Sequence, residues 1–351
     1  MDLRELARQP GEWLRGSGPE AEIIISTRIR LARNLVQFPF LTHASEDQKR
    51  MIVEKITQAV NDSDVAADLV HLDLQTMGNV DRTLLVERHL ISRELADGEG
   101  PRGVIFGDGE RISLMINEED HLRMQALRSG LELTESWRNL DRIDDLLAAK
   151  LAFAFSSQLG FLTACPTNVG TGLRVSVMMH LPALVVTREV EKVFHAVAKV
   201  NLAVRGLYGE GTQASGDFYQ ISNQRTLGKS EAEIFENLGG IVPRIVEYEK
   251  VARTKLMTDS RSTLEDRVWR AYGMLRTART ITSEETMHLL SSVRMGVNLG
   301  LLADVSIKTV NELFILTQPA HLQVLRGAEL DSAARNVARA EYIRQRLGNH
   351  V

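Results

Sequence analysis

The chemically densest stretch of this chain is Ile112 to Arg123, ISLMINEEDHLR, where Glu118, Glu119 and Asp120 follow one another directly. Adjacent carboxylates repel, and a strand does not need them in order to fold. Such a run is either a solvated acidic turn or a cluster held on a rigid element, able to orient or deprotonate a cation. Arg28 and Arg30 lie two residues apart, so on an extended chain both point to one side. They are either exposed on an edge strand or gathered around an anion. A third stretch, CPTNVGTGLRVSVMMHLP from Cys165 to Pro182, brings the single cysteine, Arg174, and a glycine pair. Gly170 and Gly172 there would let backbone amides come close to a ligand. A fourth, RGLYGEG, supplies Arg205 and a further acid, Glu210. Arg28, Arg30, Arg123, Arg174 and Arg205 converging on one site would demand an anion of several charges, and a nucleoside triphosphate fits. Glu119, Glu210 and Cys165 beside them would take a cation. A triphosphate facing a cation is the ground state for phosphoryl transfer to a guanidinium.

The elements that must position these groups are legible in part. Ile112, Leu114 and Ile116 alternate with Ser113, Met115 and Asn117, which predicts a half-buried strand. Asp108-Gly109 turns it back on residues 104–106 as a hairpin. Residues 22–34 predict a second strand and 218–227 a third. Ser45 with Gln48 forms a capping box opening a helix to Asp62, with Met51, Ile52, Ile56 and Val60 inward. Trp137, Leu140, Ile143, Leu147, Leu151 and Phe155 recur at helical spacing and predict one core-facing helix over 132–158. A further helix is expected at 188–202. Residues 69–95 give little away, and His89 within them reads as a packed surface histidine. From Ser230, itself a helix cap with Glu233, the chain predicts helices at 230–256, 262–280, 283–299, 306–316 and 332–347. Strands followed by a run of helices imply an α+β fold with a division near 240–258. Residues 1–250 would form one domain and 251–351 an all-α C-terminal one.

Composition narrows the partners. The 351 residues are 44% hydrophobic and 25% charged, with a net charge of −4 and one cysteine. An acidic chain is poorly suited to a broad nucleic-acid footprint. No apolar run approaches the roughly 20 residues that span a bilayer, and the N-terminus lacks the apolar core of a signal peptide. One cysteine forms no internal disulfide and no Cys/His zinc cluster, which points to the cytoplasm. Of 42 basic residues 33 are arginine, a skew that suits phosphate binding but that GC-rich genomes also produce. Gly228-Lys229-Ser230 lacks the leading glycine of a phosphate loop, and no GxGxxG, HRD or DFG set is present.

STRIRLARN at 26–34, NEEDHLR at 117–123, CPTNVGTGLR at 165–174 and RGLYGEG at 205–211 resemble, in order and spacing, the motifs of the phosphagen (guanidino) kinases. The resemblance covers about residues 20–240. It implies an antiparallel sheet flanked by helices, with ATP as phosphoryl donor and Mg2+ held mainly through the nucleotide rather than by protein ligands. Ser26, Arg28, Arg30, His89, Arg123, Arg174 and Arg205 match its nucleotide-binding positions, the arginines on the phosphates and His89 against the adenine. Glu119, Glu210 and Cys165 match its catalytic positions: the two acids hold the guanidinium, Glu119 is the base, and the cysteine lies beside the substrate. Asn117, Glu118 and Asp120 are implied as support.

Small-substrate members carry a helical domain before the Arg-x-Arg strand, whereas here that strand starts at residue 26 and helices follow instead. The layout is similar to that of the bacterial protein-arginine kinases of the family. It implies phosphorylation of exposed arginines on proteins, marking them for regulated degradation or stress response. An activator protein, a Clp-type unfoldase or protease, and homodimer formation through the C-terminal part come with the same resemblance. Phosphorylation of free arginine and a non-catalytic phosphoarginine-binding adaptor are the alternatives. The branch's phosphoarginine-sensing motif, Arg-Asp-x-x-Arg-Ala, appears as Arg335, Asn336, Val337, Ala338, Arg339 and Ala340. Asn336 in place of the acid predicts weakened or altered activation by phosphoarginine.

Overall fold

The computed structural model describes residues 3–206 and 215–348. Its centre is an eight-stranded antiparallel sheet in the order β2-β3-β4-β5-β1-β8-β10-β9. The strands are β1 (Ile24–Arg33), β2 (Val70–Asp73), β3 (Gly103–Gly107), β4 (Ile112–Ile116), β5 (Leu122–Ser129), β8 (Leu173–His180), β9 (Leu202–Gly206) and β10 (Phe218–Asn223). A separate short hairpin pairs β6 (Phe155–Ser156) with β7 (Gly160–Phe161). Helices α1 (Leu3–Arg8), α2 (Glu46–Asn61), α3 (Asn79–Glu87), α4 (Arg93–Asp97), α5 (Leu133–Ala148), α6 (Pro182–Val186) and α7 (Val190–Lys199) lie among the strands. After β10 the chain is helical: α8 (Glu231–Asp259), α9 (Arg261–Thr277), α10 (Ser283–Asn298), α11 (Ile307–Leu316), α12 (Pro319–Arg326) and α13 (Ser332–Gly348). Helix α8 runs without a break across the expected division. Among the described residues no helix is long and apolar enough to cross a membrane.

Strand alternation gives the sheet two unlike faces. Ile29 and Leu31 of β1, Met124 of β5, Val175 and Val177 of β8 and Ile221 of β10 join one core with Leu140, Ile143 and Leu147 of α5. Arg28 and Arg30 lie between these positions and so emerge on the opposite face. Register then gathers that face: Arg30 stands opposite Arg174 of β8, Ala32 opposite Arg123 of β5, and Gln220 of β10 opposite Arg205 of β9.

Three expectations need correction. Strand β4 is buried on both faces, because Leu85, Leu90, Ile91 and Leu95 around α3 and α4 form a second core over Met115, Val104 and Phe106. Helix α5 stops at Ala148. The chain then turns to lay Phe153 and Phe161 against the Arg33 guanidinium, 3.5 Å from the Phe161 ring centre, and leaves Phe155 exposed. Met51 also faces solvent, while Ile52, Ile56 and Val60 pack inward. Helix α12 was not foreseen.

Candidate active site

The acidic motif divides its labour between scaffold and cavity. Asp120 is fully buried and accepts from Asn34 Nδ2 (2.6 Å) and from the Ala164 amide (2.7 Å), tying the turn to the end of β1 and to the segment carrying Cys165. His121 continues the tie: Nδ1 accepts from the Leu35 amide at 3.0 Å, so Nε2 carries the proton that reaches the Pro39 carbonyl at 2.9 Å. Asn117, in the left-handed region at φ 59°, donates to the Lys49 and Pro101 carbonyls. With the turn fixed on three sides, Glu118 and Glu119 project together. Arg123 binds both, Nη1 to Glu118 at 2.6 Å and Nη2 to Glu119 at 2.8 Å. Burial opposes the Arg123 cation, but Glu118, Asp120 and Glu119 together raise its pKa above the ordinary value.

A cavity of about 400 Å³ opens here. Glu118, Glu119, Cys165, Arg30, Arg123, Arg174 and Arg205 all line it. The residue types expected to take a cation and those expected to take an anion therefore share one space. Cys165 lies at the start of a short 3-10 turn, its Sγ 3.0 Å from Thr167 Oγ1. Ser92, the cap of α4, and Glu94 also line the cavity; sequence reading missed both. Gly172 lines it as well, but its freedom serves packing. At φ +65° a Cβ would lie 2.6 Å from the Ala32 carbonyl oxygen, so β8 could not start this close to β1. Gly170 likewise makes room for the Thr226 backbone.

The arginine face is electrostatically strained as it stands. Burial, then Arg174 and Arg123, lowers the Arg28 pKa to about 10. Arg30 is pushed well below its usual value by burial and by Arg28, Arg123 and Arg174, with Glu118 acting the other way. Two unit charges 4 Å apart repel by about 4 kcal/mol at an effective dielectric of 20, so a polyanion would relieve this face. The buried Nε of Arg30 has no acceptor. Arg28 reaches Gln220 (3.3 Å) and Arg174 reaches Ser222 (3.2 Å) on β10, which splays the guanidiniums along the sheet. Arg28 lies beside the cavity rather than in its lining. Ser26 shares the face but is buried, one pleat farther from it.

His89 lies on this face too. It is the first residue past α3 in the left-handed region, φ 61°. The Leu90 amide returns to Leu85 and the His89 amide to Val86, the bonding of a Schellman cap that ordinarily uses glycine. A non-glycine residue there costs about 1 kcal/mol. The imidazole stacks on Trp13, centres 4.3 Å apart and planes 6° from parallel. Burial, then Arg28 and Arg30, depresses its pKa to about 3, so the ring is neutral. Sequence reading missed Trp13. Glu210 lies outside the described residues.

On α13, Arg339 is buried and donates to the Thr317 and Ile281 carbonyls and to Asn336 Oδ1 (2.7 Å), while Arg335 donates to Leu330 O. Asn336 thus keeps an oxygen on Arg339 without a charge. Among the described residues no cluster of three His, Cys, Asp or Glu side chains is arranged to hold a metal ion.

Comparison with known proteins agrees with this geometry. The family described as ATP:guanido phosphotransferase, C-terminal catalytic domain, matches residues 51–252. The protein-arginine kinase McsB C-terminal domain matches residues 261–350. Relatives called protein-arginine kinase include those of Symbiobacterium thermophilum, 48% identical over 351 residues and 99% of each chain, and of Moorella thermoacetica, 48% identical over 96% of this chain and 97% of that one. That of Bacillus subtilis is 43% identical over 95% of this chain and 93% of its own. Among solved structures, the duplicated taurocyamine kinase from Schistosoma mansoni with bound transition state analog components superposes with a TM-score of 0.60 at 28% identity, covering 66% of this chain and 34% of that one. A lombricine kinase does so with a TM-score of 0.59 at 27% identity, covering 69% and 71%.

Proposed function

Since the chain belongs to the ATP:guanido phosphotransferase family, among its protein-arginine kinases, we propose that it transfers the γ-phosphoryl group of ATP to arginine guanidinium groups of protein substrates. One observation carries the reading: a single cavity places Glu118, Glu119 and Cys165 against Arg30, Arg123, Arg174 and Arg205. Arg28, Arg30, Arg123, Arg174 and Arg205 take the phosphates, with His89 at the base. Glu119 and Glu210 hold the acceptor, and Cys165 adds a third group beside it. Magnesium would enter with the nucleotide rather than on a protein cluster, and would supply countercharge to its phosphates.

An arginine acceptor titrates far above neutral pH and arrives protonated, a poor nucleophile. A carboxylate of ordinary basicity does not strip that proton beforehand. The work of Glu119 is to hold the nitrogen in line with the γ-phosphorus and receive the proton as the N–P bond forms. The arginines stabilise the charge that spreads over the phosphoryl oxygens. Arg123, bound to both Glu118 and Glu119, joins the two ends of the site.

The same proposal includes a C-terminal domain from about residue 251 that forms a homodimer. Phosphorylated proteins are directed to regulated degradation with an activator and a Clp-type unfoldase or protease, in the cytoplasm. Response to phosphoarginine at Arg335, Asn336, Arg339 and Ala340 is altered by the uncharged Asn336. The test is incubation with ATP and an unstructured arginine-containing protein, then mass spectrometry under conditions that preserve N–P bonds. Phosphoarginine on the protein is expected. ATP turnover with free arginine alone would establish the small-substrate alternative. No turnover, with phosphoarginine bound, would establish the adaptor.

A further inference from the structure

The loop bearing His89 is gripped from the C-terminal half of the chain. Glu87, two residues earlier, is almost fully buried. Its carboxylate accepts from the first amides of α12, Ala320 (2.8 Å) and His321 (3.0 Å), and from His321 Nδ1 (2.6 Å). Arg88 follows, 1% exposed. It donates to Glu110 on the β3–β4 turn and to the Gln9 carbonyl, and its Nη1 lies 3.4 Å from His321 Nε2. Then comes His89, backed by Trp13 and fixed through its carbonyl by Gln125 Nε2 at 2.6 Å. Gln125 is the β5 partner of Arg30. Beyond α12 the line continues: Thr317, two residues before it, takes the Arg339 guanidinium of α13 on its carbonyl. Ala7 of α1, Leu84 of α3 and Ala320 of α12 pack as a small core around the junction.

The α3 helix needs none of this to end, since its backbone cap is complete. Three consecutive side chains, Glu87, Arg88 and His89, instead bind three different parts of the molecule. Together they leave one residue, in a conformation glycine would adopt more cheaply, with its ring parallel to an indole at the edge of the arginine face. We propose that Glu87 is a positioning residue for the nucleotide base: by clasping the first turn of α12 it fixes His89 against Trp13, so that the C-terminal helices set the affinity for ATP. This inference rests on the reading of the arginine face as the triphosphate site.

The test uses the full chain with Trp137→Phe and Trp269→Phe, so that Trp13 is its only indole. ATP and tripolyphosphate, which has no base, are titrated while Trp13 emission and thermal shift are followed. Glu87→Gln keeps the shape and halves the acceptor capacity. It should weaken ATP roughly tenfold, a loss of about 1.4 kcal/mol, leave tripolyphosphate unchanged, and raise KM for ATP with kcat preserved. His321→Ala should weaken ATP in the same base-dependent way. His321→Asn, which returns a donor near the Nδ1 position, should restore most of the affinity. Equal weakening of ATP and tripolyphosphate would overturn the proposal in favour of a general disturbance of the sheet, and unchanged ATP affinity in both Glu87→Gln and His321→Ala would refute it outright. Wild-type protein that binds tripolyphosphate as well as ATP would remove the base from the argument while leaving the proposed reaction standing. Wild-type protein that binds neither would remove the proposed reaction itself.

Discussion

At the scale of single residues, the acidic triplet shows how far a motif outruns its charges. Three carboxylates in a row suggested either a solvated turn or one cluster, but Asp120 is a buried tie between Asn34 and Ala164 while Glu118 and Glu119 meet Arg123 in the cavity. Nothing in the order of the letters separates those duties; only the partners do. Replacement of Glu119 by Gln should lower kcat by roughly 10²- to 10⁴-fold, the usual contribution of a positioned base, with ATP binding nearly intact. Single-turnover phosphorylation beside an ATP titration checks it, and a loss confined to ATP affinity would count against the role. Arg174→Ala removes charged hydrogen bonds worth about 1.5–3 kcal/mol. It should weaken ATP roughly tenfold to a hundredfold and flatten the salt dependence of binding, both measurable by calorimetry.

At the scale of elements, β1 was readable as an extended stretch, and the two-residue spacing of Arg28 and Arg30 placed both on one side of it correctly. The gathering of Arg123, Arg174 and Arg205 around them is a matter of strand order and register, which no local pattern encodes; the motifs' resemblance supplied it. Local rules failed where a tertiary contact outweighed periodicity, as when Arg33 drew Phe153 out of the expected helix to pack beside Phe161. Gly172 was taken for a ligand-approach glycine, yet it is also a packing glycine between β8 and β1. Gly172→Ala, with φ +65° and a 2.6 Å clash on backbone, should destabilise by about 2–3 kcal/mol. Chemical denaturation of the two proteins gives that difference directly. A change below about 0.5 kcal/mol would mean that β8 shifts at little cost.

At the scale of the molecule, the sheet and the helical half are joined by buried polar contacts as well as by α8. His180 of β8 receives Arg294 of α10 on Nδ1 and contacts Ser291 through Nε2, and Ser291 donates to Asp217. His121, His180 and His321 are all fully buried, and burial lowers each pKa, most strongly for His180. The unfolded chain takes up protons below about pH 6.5 that the folded one refuses. Stability is therefore present above that pH and is lost as pH falls from 6.5 toward the folded-state values. Each ring should cost up to about 1 kcal/mol between pH 6.5 and 5.5, visible as a falling melting temperature before ordinary carboxylates titrate. In the opposite direction, tripolyphosphate should raise the melting temperature by neutralising the crowded guanidiniums, an effect that added salt would blunt.

The two-faced sheet also bears on how the chain finds its fold. A one-residue slip of β1 against β5 or β8 would turn every side chain over, driving Arg28 and Arg30 into the oily layer beneath α5 and lifting Ile29 and Leu31 into water. Burying an unpaired cation costs several kcal/mol, so mispaired sheets are rejected by the very groups proposed to grip phosphate. Charge proposed for phosphate binding would double as a proofreader of assembly, and variants that neutralise it should fold with less fidelity as well as bind ATP less well.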